Sequence, residues 1–312
     1  MNQYLVSVIL GVIEGLTEFL PVSSTAHLRL TEELMARYTS APISLADPYW
    51  KMYTIVIQLG AILSLLVYFR KRIAGFLTTF PHGRNGRKTI LTHPLSLTII
   101  AFFVTAIPAL LLTKRIGKNL ESVFVMGMSL LVGGIVMWII DARFGRGEQL
   151  AVRSAAADGP TNLVQMPSPK SVTTDVEDMT IGQSVWIGFC QIASAVFPGT
   201  SRSMATIAAG QTAGMTRAAA LEFSFLLSIP TMIAATGYDL LKSLLHKGHD
   251  IGAAPANTEQ WMVLAVGFVV SFIVAYGVVA WFMAWVRQRG FVPFAVYRIV
   301  LGIAVLLWFV RR

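Results

Sequence analysis

The sequence predicts an all-α polytopic membrane protein with six full transmembrane helices and two re-entrant helix-loop-helix hairpins in an inverted repeat. Three observations lead there. Charged residues make up 13% of the 312 residues, about half the ~25% of a soluble domain. Hydrophobic residues make up 55% and the mean hydropathy is +0.65, which excludes a cytosolic enzyme, a disordered chain and a secreted disulfide scaffold. Two apolar stretches are broken in the middle by proline and small hydroxyl residues. Residues 1–312 read as a single integral membrane domain, with 1–140 as a first repeat, 141–180 as a mobile loop and 181–312 as a second repeat.

A spanning helix needs about 20 mostly apolar residues. Segments 52–69, 95–113, 121–140, 217–239, 261–286 and 293–310 meet that need. Basic clusters bound several of them: Arg70-Lys71-Arg72, Lys114-Arg115, Arg287 with Arg289, and Arg311-Arg312. The regions 3–37 and 181–213 fit badly. Each is interrupted, at Pro21-Val22-Ser23-Ser24-Thr25 and at Pro198-Gly199-Thr200-Ser201-Arg202-Ser203. Proline removes a backbone donor, and unpaired backbone cannot face lipid. Both interruptions therefore read as re-entrant hairpins. A shift of 177 residues puts Gly11 on Gly188, Pro21 on Pro198 and Ser24 on Ser201, with Glu14 on Gln191. Each hairpin precedes three spans, an odd number, so the second copy is expected to be inverted. Segment 141–180 holds Asp158-Gly159-Pro160 and Pro167-Ser168-Pro169, which mark a loop.

The net charge of +9 and pI near 9.9 would suggest nucleic acid in a soluble protein. Here no basic stretch carries interleaved aromatics, so no nucleic-acid partner is expected, and Lys and Arg read as flanks of membrane spans. Placing 70–94, 141–180 and 287–292 in the cytoplasm puts twelve Lys/Arg there against about ten opposite, a slight preference. The single cysteine, Cys190, reads as a packing residue. The N-terminus lacks a basic n-region, so a cleaved signal peptide is not expected.

Glu14 and Glu18 stand at i, i+4 spacing in an apolar stretch, on one helix face. Two such carboxylates repel unless one is protonated or a cation sits between them, and ionisable residues at membrane depth mark function by default. Solvation at the membrane interface is the bland alternative. Ser23, Ser24 and His27 follow within a loop and one turn. Ser24 and His27 can share a face and permit nucleophilic or acid–base chemistry, or a serine simply caps the next helix. In the second break, Gly199 allows close backbone approach, and Thr200, Ser201 and Ser203 offer hydroxyls. Arg202 offers the fork suited to phosphate, or pairs with Glu14 or Glu18 as a structural ion pair. Together these residues suit a metal-assisted phosphoryl site, with carboxylates for Mg²⁺ or Ca²⁺. Gln58 and Glu222 read as either supporting or structural. Gly11-x-x-x-Gly15 and Gly210-x-x-x-Gly214 read as close-packing pairs. His82, His93, His246 and His249 sit in loops and carry no assigned role.

These residues resemble a known family. Gly11-Val-Ile-Glu14-Gly-Leu-Thr-Glu18-Phe-Leu-Pro21-Val-Ser23-Ser24-Thr-Ala-His27 is similar to the glutamate-rich motif of the undecaprenyl pyrophosphate phosphatases, the bacitracin-resistance membrane phosphatases. Pro198-Gly199-Thr200-Ser201-Arg202-Ser203 resembles the second motif of that family. Gln58-Leu-Gly-Ala-Ile-Leu, Ala220-Leu-Glu222-Phe-Ser-Phe-Leu-Leu and Pro293-Phe-Ala-Val-Tyr297-Arg298 match as well. The chain departs at Ala26, where glycine is usual, at Thr200, at Met204 and at Thr54. The resemblance implies hydrolysis of undecaprenyl diphosphate to the monophosphate and inorganic phosphate, recycling the lipid carrier of peptidoglycan. It implies a divalent cation, a bacterial inner-membrane location, a site open to the periplasm and, in many members, a homodimer. It maps metal and acid–base roles onto Glu14 and Glu18, nucleophilic or acid–base roles onto Ser24 and His27, and phosphate binding onto Ser201 and Arg202. The rival readings are a secondary transporter or lipid-carrier flippase, and a non-catalytic scaffold. The lipid phosphatases that use two histidines expect a histidine where Ala208 stands.

Overall fold

The computed structural model describes residues 2–38, 47–112, 122–157, 172–245, 255 and 257–310. Lys114-Arg115, Arg311-Arg312, His246, His249 and positions 158–171 of the expected loop lie outside the described residues. Those described form eleven α-helices, one short 3₁₀ turn and a single isolated β-bridge, Thr173 with Met215. The helices are α1 (Gln3–Thr17), α2 (Ser24–Tyr38), α3 (Pro48–Tyr68), α4 (Arg70–Thr79), α5 (Pro94–Leu111), α6 (Val123–Ala157), α7 (Ile181–Val196), α8 (Arg202–Thr212), α9 (Arg217–Leu245), α10 (Thr258–Arg289) and α11 (Val292–Val310).

Among the described residues, six helical segments are long and apolar enough to cross a membrane: Pro48–Tyr68, Pro94–Leu111, Val123–Gly145, Arg217–Tyr238, Thr258–Val286 and Val292–Val310. They fall on the six expected spans. Helices α1 and α7 are apolar but shorter, and each stops at its expected break. The basic segment after Phe69 opens with helix α4. One connection differs from expectation. The helix that starts at Val123 continues to Ala157, so 141–157 is helical and not part of a mobile loop. Segment 141–157 holds no proline, and its two glycines, Gly145 and Gly147, weaken a helix without ending it; the first Gly-Pro pair comes at Gly159-Pro160.

Local chemistry explains where helices begin. Asp47 and His93 each accept a backbone N–H at the head of a helix whose first residue is proline. Thr180 and Gln183 form a reciprocal capping box on α7.

The Cα packing divides the chain into two compact units, Met1–Thr78 with Phe225–Phe282, and Thr79–Ser224 with Met283–Arg312. Neither coincides with a sequence half. In the first unit, Val6, Leu10, Tyr49, Trp50, Tyr53, Ile57 and Val263 build the core. Buried polar groups are satisfied across helices: Tyr53 donates to Ser7 Oγ at 2.8 Å, and Ser7 donates to the Val263 carbonyl at 2.6 Å. Gly11 and Gly15 do permit close packing. A Cβ at either would meet a backbone carbonyl of α10 at 2.8 Å. Gly210 has the same role against Ala220, whereas Gly214 is a turn residue at φ +83° with open space around it.

In the second unit, α6 and α11 pack through Gly127, Gly134 and Gly302, where an added Cβ would come within 3.0 Å of the facing helix. Helices α5 and α7 are tied by Thr105 donating to Gly188 O (2.7 Å) and Ser184 donating to Leu97 O (2.5 Å). Asp141, 1% exposed, accepts from Arg217 Nε at 2.7 Å, from the Phe291 N–H at 3.0 Å and from Gln211 at 3.3 Å. A side chain at Gly145 would overlap the Arg217 guanidinium.

Removing one partner of a buried ion pair costs about 3–5 kcal/mol, because the other charge is left unsatisfied. Asp141→Ala should therefore sharply lower the thermal midpoint in detergent, and Asp141→Asn, which still accepts from Phe291, should lower it less. His93 is a second probe, lying just outside a span. Burial lowers the pKa of its imidazole and Lys88 adds to that, while Glu177 opposes. Its Nδ1 accepts the Leu95 N–H, so the working form is neutral. Below about pH 6.5 the unfolded chain binds the proton more readily, and stability falls as pH drops through that value. Melting curves of wild type should shift downward from about pH 7 to about pH 5.5, and those of His93→Gln should shift less.

Candidate active site

The first break lies in the first unit. Helix α1 ends at Thr17, and Glu18 continues its geometry by donating its N–H to the Glu14 carbonyl at 2.9 Å. The i, i+4 carboxylates therefore stand one turn apart. Glu14 is fully buried, and Glu18 is half-buried. Full burial removes the reading in which Glu14 is solvated at an interface. Chain reversal follows at Pro21 and Val22, and α2 starts at Ser24.

Ser24 is not a simple cap. Its hydroxyl donates to Glu18 Oε2 at 2.5 Å. A serine held on a carboxylate is an oxygen nucleophile paired with a base. His27 meets the carbonyl of Ser23 through Nδ1 at 2.7 Å. A carbonyl only accepts, so Nδ1 carries the proton and the lone pair of the neutral ring lies on Nε2. The two buried serines thus have separate partners, Ser24 through its hydroxyl and Ser23 through its backbone.

The second break lies in the second unit, and its residues are described within that unit. Helix α7 ends at Val196, Thr200 donates its N–H to Phe197 O at 3.2 Å, and Ser201 precedes α8. Gly199 adopts φ +92°, and a Cβ there would lie 2.6 Å from the Met126 carbonyl, so no other residue fits without displacing α6. Ser201 Oγ faces the Met204 N–H at 3.4 Å. Arg202 is the first residue of α8 and half-buried, and Ser203 is fully buried.

Ser23 and Ser201 are the residues other than glycine with positive φ among those described, at 76° and 67°. Each immediately precedes the second helix of its pair. The structure therefore matches Ser23, rather than Ser24, to Ser201, and the second break is one residue longer than a uniform shift allows. Left-handed backbone at such a residue costs about 1–3 kcal/mol, and such strain gathers at functional sites. Gln191 on α7, like Glu14 on α1, is almost fully buried.

The described residues contain no group of three or more His, Cys, Asp or Glu placed to hold a metal. Two carboxylates fit a hard cation that takes its other ligands from water and phosphate oxygens, as Mg²⁺ does. They do not fit a nitrogen–sulfur zinc cage.

The family model for bacitracin resistance protein BacA matches residues 7–304. The chain belongs to the BacA family. A relative from Koribacter versatilis, named undecaprenyl-diphosphatase, is 60% identical over 315 residues, covering all of both chains. One from Rhizobium etli with the same name is 39% identical, covering 97% of this chain and 96% of its own. One from Caldanaerobacter subterraneus, also so named, is 35% identical, covering 98% and 96%. As a BacA-family chain with six apolar spanning-length helices, the molecule is a multi-pass membrane protein.

One residue that the sequence reading quotes only within a matching stretch, without a role, supports the second break. Arg298, in the middle of α11, is fully buried. Its Nη2 donates to the Gly199 carbonyl at 2.9 Å and to the Ser129 carbonyl at 3.1 Å. Gly133 leaves the room for it, because a Cβ there would overlap the guanidinium. Arg298 thus satisfies the carbonyl that the non-helical turn exposes and fixes the loop that carries Ser201 and Arg202. An arginine inside an apolar run was the available signal. Gln58 and Glu222 are half-buried.

Arg298→Met should orphan the Gly199 carbonyl, at about 1–3 kcal/mol, while the Ser129 carbonyl, inside α6, keeps its helical position. Arg298→Lys, a point charge without the fork, should lose about half as much. Denaturant midpoints in detergent measure both.

Proposed function

We propose that this chain hydrolyses undecaprenyl diphosphate to undecaprenyl phosphate and inorganic phosphate. The reaction recycles the lipid carrier for peptidoglycan synthesis and confers bacitracin resistance. It takes place in the bacterial inner (plasma) membrane, at a site reached from the periplasm, with each helix–break–helix element re-entrant. One observation supports the chemistry above the rest: the Ser24 hydroxyl donates to the Glu18 carboxylate. The names of full-length relatives supply the substrate.

In this reading Glu18 takes the Ser24 proton as Oγ bonds to the terminal phosphorus. The bond from that phosphorus to the bridging oxygen breaks, and undecaprenyl phosphate leaves with the electron pair. Water then attacks the phosphoserine and passes a proton to His27 Nε2. The P–Oγ bond breaks, inorganic phosphate departs, and Glu18 returns the proton to Ser24. The variant of the scheme is direct attack by a water that His27 activates. Glu14 and Glu18 would hold the divalent cation, Mg²⁺ or Ca²⁺, which when bound neutralises phosphate charge. Arg202 binds phosphate with its fork, supported by the hydroxyls of Ser23, Thr200, Ser201 and Ser203 and by close backbone approach at Gly199.

Phosphate release from undecaprenyl diphosphate, measured on the purified chain in detergent, tests the proposal. Arg202→Ala should fall to background while still melting as a folded protein, and wild-type rates from it would overturn the scheme. Glu18→Gln should lose about a hundredfold or more, and chelator should stop the wild type. Labelled phosphoserine trapped at Ser24 separates covalent from direct-water attack. A flippase or secondary transporter without hydrolytic activity releases no phosphate in this assay.

A further inference from the structure

The second unit carries a groove of about 890 Å³ bounded by α6, α7 and α8. Its lining on α6 runs from Phe124 to Ile140, about 24 Å of helix at ~1.5 Å per residue. The cavity is therefore elongated rather than round. Its floor and its rim are built differently. Gly133, Ala205, Ala208 and Ala209 form the floor and are buried. Phe124, Val132, Trp186, Phe189 and Phe197 form the rim and are exposed. Small residues below and large ones beside leave an apolar trough, where ridged apolar helices would otherwise close on each other.

One end of the trough is the second break. Phe197 and Thr200 line it, and Thr200 is followed directly by Ser201 and Arg202. The polar atoms along its wall are few, chiefly the hydroxyls of Ser129, Thr200 and Thr212. Toward the other end, Trp186 donates its indole N–H to Thr212 at 3.1 Å.

We propose that this groove binds the polyprenyl tail of the diphosphate substrate, an assignment that rests on the hydrolase reading above. The occupant follows from continuity. A diphosphate held at Ser201 and Arg202 has its first prenyl carbons beside Phe197 and Thr200, where the apolar trough begins. A compact ligand would leave most of the length empty. A flexible unbranched acyl chain gains nothing from a rigid, methyl-scale floor, whereas a branched polyprenyl chain packs its methyls against Gly133 and the three alanines.

Two measurements test this. The first compares the KM for undecaprenyl diphosphate with the inhibition constant of inorganic phosphate, a probe without a tail. Ala208→Phe, which fills the floor, should raise that KM about tenfold and leave phosphate inhibition unchanged. Val132→Trp, a change on the exposed rim, should act in the same direction. Equal shifts in both constants, or none in either variant, would overturn the assignment. The second uses wild type alone. Cys190, the single cysteine, lies in the wall. Its alkylation by N-ethylmaleimide should slow severalfold with undecaprenyl phosphate, and stay unchanged with inorganic phosphate or phosphatidylglycerol. Equal protection by phosphatidylglycerol would make the trough a general lipid crevice and defeat the proposal. Wild type that releases no phosphate would instead remove the hydrolase reading, with the Cys190 result still reporting on the groove.

Discussion

Backbone that leaves a helix within apolar surroundings exposes carbonyls and amides that water cannot satisfy, and each must find a partner in the protein. In the second unit the Arg298 guanidinium meets this constraint. It is the largest fully buried side chain among the described residues, and it bonds to one carbonyl in the break and another on α6. Everything nearby accommodates it: Gly133 is vacant of a side chain, and Gly199 presses against Met126. The loop that carries Ser201 and Arg202 owes its shape to a residue 99 positions away in sequence.

The two buried arginines of this unit solve the same problem in different ways. Arg217 meets a carboxylate, Asp141, which also receives a backbone amide and a glutamine. That arrangement is self-contained and joins α6, α8, the start of α9 and the turn into α11. Arg298 instead meets neutral carbonyls, whose partial charges are individually weaker but are fixed in place by the packing of α6 against the break. The first is a structural ion pair. The second couples a catalytic-family motif to the helix behind it.

Much of this was legible in the sequence. Apolar length alone located all six spans, and the Pro-rich hydroxyl clusters located both breaks. Helical spacing put Glu14 and Glu18 one turn apart, and their neighbourhood with Ser24 and His27 followed from the short loop between α1 and α2. The hydrogen bond from Ser24 to Glu18 was beyond reach, because it depends on how Pro21 and Val22 reverse the chain. The continuation of α6 past Asp141 was missed because the drop in hydropathy there ends the apolar run without ending the helix. Asp141 consequently read as the first residue of a loop. A uniform shift pairs Ser24 with Ser201, whereas the residues that share a positive φ are Ser23 and Ser201, a backbone property that a fixed offset does not carry.

The backbone at Ser23 has one further consequence. An α-helix propagates by adding residues with negative φ, and it stops at one held near +76°. Together with Pro21, which lacks a backbone donor, that stop keeps residues 3–38 from forming a single rod of about 54 Å at ~1.5 Å per residue, far longer than the ~30 Å hydrocarbon layer of a bilayer. The left-handed serine acts as a chiral latch. It keeps α1 and α2 folded back as a pair, so that Glu14 and Glu18 stay beside the bend and are not spread along a straight cylinder.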